Sequence, residues 1–290
     1  MFYDALNALK TLPKMHVYLT PEFVELPFLS SIFLCLYEQL LNTSWQDYEW
    51  VLLSPKTPVH VVPNLTDRHI LVYMGNEKGH IPRAFRQAAF VFTPYLDFSY
   101  AHKNVHVIPL GCNGYTPPLP VLPMSQRDLF FSFTGQVLSE RLSFIAQSLE
   151  FLGNVKPYDA LKAYLTLTPR FQSGLSPETY ADILHRSCFA PVPPGISPIT
   201  FRLFEALRAG CLVVTGPLPP YAYLKDLPAL KVSADWKELS PFLQGAFKNP
   251  RGMQELQQES LAYYQRVCSP EGVAHQIASA IVRQDVPLDF

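Results

Sequence analysis

The 290-residue sequence has no apolar run long enough to cross a bilayer. The most apolar stretch, Phe28 to Tyr37, is too short and is flanked by Glu25 and Glu38. Met1 is followed by no basic segment leading into an apolar one, so no secretory leader is read and a soluble, cytoplasmic protein is expected. Excess charge is missing too: the net charge is −1, which gives no reason to expect nucleic acid or an acidic membrane surface as a general partner. The five cysteines (Cys35, Cys112, Cys188, Cys211 and Cys268) are odd in number and widely spaced. They form no CxxC pair or Cys/His cluster, which argues against a zinc site or a disulfide framework and for a reducing compartment. Internal repeats and low-complexity segments are likewise not evident. No Asp-x-Asp occurs either, so the usual sequence sign of a metal bridging a diphosphate is missing, and no metal or other cofactor is expected.

What is present is a compact composition, 48% hydrophobic and 16% charged, in a chain long enough for two medium domains. Apolar segments recur between turn residues. Lys14 to Leu19 reads as a strand leading to a loop at Thr20-Pro21, and Leu29 to Leu41 as a helix. Trp50 to Leu53, His69 to Met74, Phe90 to Thr93 and Val105 to Leu110 read as short strands spaced for helices. Residues 113–126 contain Pro117, Pro118, Pro120 and Pro123 and read as a stiff linker between a first domain, residues 1–112, and a second, residues 127–290. The second begins with a strand, Leu129 to Phe133, a turn at Thr134-Gly135-Gln136 and a helix to about Phe151. The span from Pro250 to Arg283 has the spacing of closing helices.

The segment from Tyr180 to Thr215 carries the most chemistry. Phe189 to Val192 is apolar, Pro193-Pro194-Gly195 must turn, and Ser197-Pro198 is a favourable cap and first-turn pair for a helix that Gly210 ends. Cys211 to Val214 then re-enters a sheet. This strand, loop, helix, strand order is the unit of a parallel α/β layer, where anions sit at helix N-termini and strand carboxyl ends. Glu205 offers two oxygens at the spacing of a vicinal diol, such as the two hydroxyls of a ribose. Arg141 and Arg202 are candidates for a diphosphate, because a planar guanidinium matches phosphate oxygens. Gly135, Ser197 and Thr200 complete the donor-side candidates. Against these stand plainer readings: a helix carboxylate paired with Arg202 or Arg208, and solvated surface arginines.

Taken together these residues resemble the exostosin-type glycosyltransferases. The resemblance rests on Lys14 to Tyr18, on Arg127 to Gly135 with Arg141, and on Tyr180, Leu184, Ser187, Phe189, Pro191, Pro193, Gly195, Phe201-Arg202, Glu205-Ala206 and Gly210-Cys211. It covers Arg127 to about Leu239 well and the first domain thinly. It implies an α/β protein of GT-B type, with two Rossmann-like domains facing across a cleft. It also implies an inverting, metal-independent transfer from a nucleotide diphosphate sugar, expected to be a UDP-sugar, to a glycan or glycoconjugate hydroxyl. A microbial or viral setting is expected, since the membrane anchor of animal members is lacking. The base is sought in the first domain, where Glu77 leads, followed by His80 and Asp97, all in loops after apolar strands. A nucleotide-sugar epimerase or a non-catalytic partner of another transferase are the alternatives.

Overall fold

The computed structural model describes residues 2–12, 14–18, 23–40, 48–54, 64–154, 162–169 and 175–283. The loop expected at Thr20-Pro21 and the helix end expected at Leu41 lie outside these residues. By contacts the chain divides into two units. One comprises the chain up to Gly114, Pro220–Lys225, and the chain from Arg266 onward. The other comprises Tyr115–Pro219 and Asp226–Gln265. The proline-rich stretch after Gly114, read from sequence as a linker, is thus counted within the second unit, and the part of the chain from Arg266 onward within the first.

The first unit contains α1 (Phe2–Lys10), β1 (Met15–Tyr18), α2 (Leu26–Leu40), β2 (Glu49–Leu53), β3 (His69–Tyr73), β4 (Phe90–Thr93) and β5 (Val105–Val107). The five strands are all parallel and lie in their chain order, β1-β2-β3-β4-β5. Every residue of β3 and β4 is buried, as the continuous apolar runs of a sheet covered on both faces require.

The second unit contains β6 (Leu129–Gln136), α3 (Leu142–Asn154), β7 (Lys162–Thr168), α4 (Pro177–Arg186), β8 (Ser187–Val192), α5 (Phe201–Arg208), β9 (Leu212–Thr215), β10 (Ala229–Lys231), α6 (Leu239–Phe247) and α7 (Pro250–Tyr263). A π-helical turn, Tyr264–Cys268, leads to α8 (Pro270–Arg283), which packs on α2 in the first unit. The closing helices are therefore divided, α7 with the second unit and α8 with the first.

The strand order here is β10-β9-β8-β6-β7, all parallel. From β6 the chain steps outward on one side to β7 and then returns to the other side at β8. Connections leaving β6 and β8 therefore diverge, and the carboxyl ends of these two strands bound a crevice, the usual ligand position in such sheets. The first sheet has no such reversal among the described residues. Aromatic rings fill the core beneath: Phe144 meets Phe133 at 4.7 Å and Trp236 at 4.9 Å between ring centroids.

Two expectations need correction. Thr134, Gly135 and Gln136 form the end of β6 and not a turn, because pairing with β7 continues to Gln136 opposite Thr168. Helix α5 begins at Phe201 with Thr200 as its N-cap, not at Ser197. The Ser197 Oγ instead accepts from the Ile199 N–H at 3.2 Å, and its carbonyl accepts from the Gly195 N–H at 2.9 Å. These bonds fold residues 195–199 into a turn that delays the helix.

Gly210 ends α5 as expected, and for two reasons. Its φ of +69° suits glycine, and the N–H groups of Gly210 and Cys211 donate to the carbonyls of Leu207 at 3.0 Å and Ala206 at 2.9 Å, the paired bonds of a Schellman cap. A Cβ here would also stand 2.9 Å from Val121 and 3.1 Å from the Arg127 guanidinium. Gly210→Ala is expected to lower the unfolding free energy by more than about 1 kcal/mol, measured by urea denaturation.

Candidate functional site

Arg141 stands at the crevice of the second sheet, in the short 3-10 turn Ser139–Arg141 just before α3. Its Nε donates to the Pro194 carbonyl at 2.7 Å and its Nη1 to the Gln136 carbonyl at 3.0 Å. One guanidinium thus ties the loop after β6 to the loop after β8. Two glycines leave room for it. A Cβ on Gly135 would meet Arg141 Nη1 at 3.2 Å, and one on Gly195 would meet Nη2 at 3.4 Å. Burial, and then the charge of Arg202, push the Arg141 pKa down to about 10, which leaves it protonated at neutral pH.

Arg202 lies in the first turn of α5 and donates from Nη2 to the Thr134 carbonyl. Its guanidinium carbon is 4.5 Å from the Phe133 ring centroid and 5.5 Å from that of Tyr180. The Phe133 ring also meets Arg141, at 5.7 Å. Among the described residues neither arginine makes an ion pair. The carboxylate of Glu140, exposed and next to Arg141 in the chain, acts on it through space without forming an ion pair, so two adjacent, partly buried cations face one solvated carboxylate and leave an excess of positive charge. The N-terminus of α5, where Thr200 makes no side-chain cap bond, adds to it. The buried Thr134 Oγ1 has no hydrogen-bond partner among the described residues. A cavity of about 160 Å³, lined by Glu140, Val192, Pro194, Gly216, Pro217 and Trp236 among others, adjoins the Arg141 anchor. Pro194 is shared by the cavity and the Arg141 anchor. This combination can hold a phosphate-bearing ligand, with room next to it for a planar group.

Glu205 departs from the plainer of its two sequence readings. It is only 4% exposed, and both carboxylate oxygens already accept bonds, from Thr116 Oγ1 at 3.0 Å and from Tyr180 OH at 2.9 Å. It is neither a helix-surface charge nor paired with Arg202 or Arg208. Arg208 instead donates to the Thr116 carbonyl at 2.7 Å, so α5 grips the proline-rich segment with two side chains. Tyr221 belongs to the first unit, where its hydroxyl bonds the backbone of Leu96. Cys188 and Cys211 are buried, and burial raises both thiols, Cys188 to about 11, so they are core residues.

In the first unit the loops after β3 and β4 interlock, with the Asp97 N–H donating to the Gly79 carbonyl at 3.0 Å. The Asp97 carboxylate caps the turn Phe98–Tyr100, accepting from Ser99 N at 2.9 Å and Ser99 Oγ at 2.8 Å, and these bonds lower its pKa. A carboxylate stabilised in this way is a weak base. His80 is exposed, with its ring 5.0 Å from that of Tyr100. Glu77 is an exposed loop residue whose carboxyl is partly desolvated, which raises its pKa. Glu25, just before α2, was not singled out from sequence. Its carboxyl is largely withdrawn from water, and that burial, followed by the nearby charge of Glu77, raises its pKa to about 7. Burial, with the charges of Glu77 and Glu25, also raises Tyr95.

No protein-family model and no curated protein sequence matches this chain. Solved structures match it in shape. TarM superposes with a TM-score of 0.53 at 9% identity, over 85% of this chain and 57% of TarM. Anabaena HepE in complex with UDP gives 0.53 at 11% identity, over 85% of this chain and 81% of HepE. The Glycosylation Associate Protein complex from Streptococcus agalactiae gives 0.51 at 13% identity, over 86% and 57%. The fold is of the GT-B type. At these identities the likeness is one of fold, and the chain spans little more than half of TarM.

Phe133, Trp236, Thr116 and Glu25 are the residues of these sites that sequence reading passed over. The first two are indistinguishable from core aromatics by spacing, and Thr116 is one polar residue in a proline run. Glu25 carries a measurable signature. In the native state it keeps its proton up to about pH 7, whereas the unfolded chain loses it near 4.5. The unfolded state binds fewer protons in that window, so unfolding free energy should fall as pH rises from 4.5 to 7. Urea unfolding at pH 5 and pH 8 should show this decline, and Glu25→Gln should reduce it.

Proposed function

We propose that the protein is a glycosyltransferase that moves a sugar from a nucleotide diphosphate sugar, a UDP-sugar in the first instance, to a glycan hydroxyl. The observation that carries this reading is the pair Arg141 and Arg202, two cations that form no ion pair among the described residues, at the strand-order reversal of the second sheet. Two fold neighbours have been solved with UDP: HepE, and Staphylococcus aureus TarM together with alpha-GlcNAc-glycerol and fondaparinux. The motif from Tyr180 to Cys211 supports an exostosin-type relationship within the broader GT-B group.

In the transfer, the acceptor oxygen bonds to the anomeric carbon as the bond from that carbon to the diphosphate oxygen breaks, and the acceptor proton passes to a base. Negative charge grows on the leaving diphosphate. Arg141, Arg202 and the N-terminus of α5 are suited to meet it without reorganising, since their positions are already fixed by backbone carbonyls, rings and fold. These cations, with the lack of any Asp-x-Asp in the sequence, favour a transfer that needs no metal. The 160 Å³ cavity beside Pro194 is assigned to the nucleobase. A single displacement with inversion requires one base, for which Glu77 remains the candidate and the raised carboxyl of Glu25 a second.

Arg141→Ala is expected to weaken UDP binding by roughly ten- to a hundredfold, the loss of a charge-assisted pair of hydrogen bonds of about 1.5–3 kcal/mol. Calorimetric titration with UDP and GDP checks this, followed by a nucleotide-sugar screen for transfer or donor hydrolysis in the presence of EDTA. Equal UDP affinity in the wild type and Arg141→Ala would remove the donor site. Tight UDP binding without turnover of any donor would indicate a non-catalytic partner instead.

A further inference from the structure

Arg202 is held by rings and a carbonyl where a counter-ion would be the common solution. Glu205, three residues further along α5, is at the helical spacing that would allow an ion pair with it. Instead the Glu205 carboxylate accepts from the Tyr180 hydroxyl at 2.9 Å, and the Tyr180 ring faces the Arg202 guanidinium at 5.5 Å. The second Glu205 oxygen accepts from Thr116. The space remaining beside Glu205, Thr116, His185 and Arg208 is about 20 Å³, enough for a water molecule and too little for a ribose. Tyr180 is half-buried; burial, with the neighbouring Glu205 charge, raises its hydroxyl well above its usual value, so it stays protonated and serves Glu205 as a donor.

We propose that Tyr180 is a positioning residue of the diphosphate site and that Glu205 acts through it, fixing the ring that supports Arg202 and making no contact with the ribose. The arrangement has a clear electrostatic result. A carboxylate bonded directly to Arg202 would cancel the charge meant for the phosphates. An aromatic face holds a guanidinium by its quadrupole and leaves its net charge unchanged. Phe133 on the other ring contact, at 4.5 Å, does the same. Tyr180 thus lets the site bury a glutamate close to its arginines while keeping both cations unpaired.

The inference rests on the donor-site reading above, and one set of titrations separates the two. Affinities for UDP and for uridine are measured on the full chain by calorimetry and ligand-observed NMR, for the wild type, Tyr180→Ala, Tyr180→Phe and Glu205→Gln. Tyr180→Ala is expected to lower UDP affinity roughly tenfold with uridine unchanged, a loss within the range of a partly desolvated cation–π contact. Tyr180→Phe, which keeps the ring and loses its bond to Glu205, should lower UDP affinity measurably but less than Tyr180→Ala, and Glu205→Gln should lower UDP affinity to a similar extent while leaving uridine binding unchanged. A proportional loss of UDP and uridine in Glu205→Gln would make Glu205 a ribose ligand and overturn the proposal, as would a folded Tyr180→Ala with the wild-type ratio of UDP to uridine affinity. Should Tyr180→Ala fail to fold, the Glu205→Gln comparison decides by itself. A wild type that binds UDP no better than uridine would instead remove the donor-site reading.

Discussion

Positive charge held by neutral groups instead of an ion pair is the constraint around which the second unit is arranged. Burying part of a guanidinium is costly unless its N–H groups are satisfied. Here they are satisfied by neutral acceptors: the carbonyls of Pro194 and Gln136 for Arg141 and of Thr134 for Arg202. Neutral acceptors remove the desolvation penalty only in part, and the lowered pKa of Arg141 records what remains. A bound anion would relieve it. Other features follow from keeping the two cations in place: glycine at 135 and 195, an aromatic core that rises to the carboxyl edge of the sheet at Phe133, and a glutamate directed to a tyrosine.

Arg127 shows the opposite use of the same side chain. It too is buried, but it sits where the strands begin. It donates to the carbonyls of Leu122 at 3.1 Å, Ser187 at 2.5 Å and Ala209 at 2.6 Å. Gln257 of α7 reaches the same place, donating to the Leu122 and Gly210 carbonyls. This amino edge of the sheet is therefore cross-linked by a cation fully occupied with backbone, while the carboxyl edge retains binding capacity. The division agrees with the general habit of parallel sheets, in which one edge serves stability and the other serves ligands.

The inner strands were legible because parallel strands buried on both faces appear as uninterrupted apolar runs, as in Ile70 to Tyr73 and Phe90 to Thr93, whereas the edge strands β7 and β10 are partly exposed, carry no such run and were not read. Sheet order was not legible, since it depends on which runs pair and not on their composition. The arginines could be named from the motif, but their surroundings could not. Nothing in the spacing says that Tyr180 and Thr116 occupy the Glu205 carboxylate, because Thr116 lies 89 residues away from it in the chain. The helix start at Ser197 was misread for a related reason: Ser-Pro is a good cap locally, but the bonds of Ser197 to Ile199 and Gly195 use its capping capacity in the preceding turn. Glu25 was hidden because a carboxylate beside an apolar helix looks the same in sequence whether it faces water or not.

The reversal of strand order also bears on how the protein reaches its native state. Arg141 and Pro194 are 53 residues apart in the chain, and they meet because β8 lies directly beside β6. Contacts of such long sequence separation close a large loop and tend to form late in folding. The Arg141 anchor therefore depends on the non-local pairing of β6 with β8 and not on either loop alone. Local opening at β8 would withdraw the Pro194 carbonyl from Arg141, so the arrangement of the site is tied to the integrity of that one strand pairing.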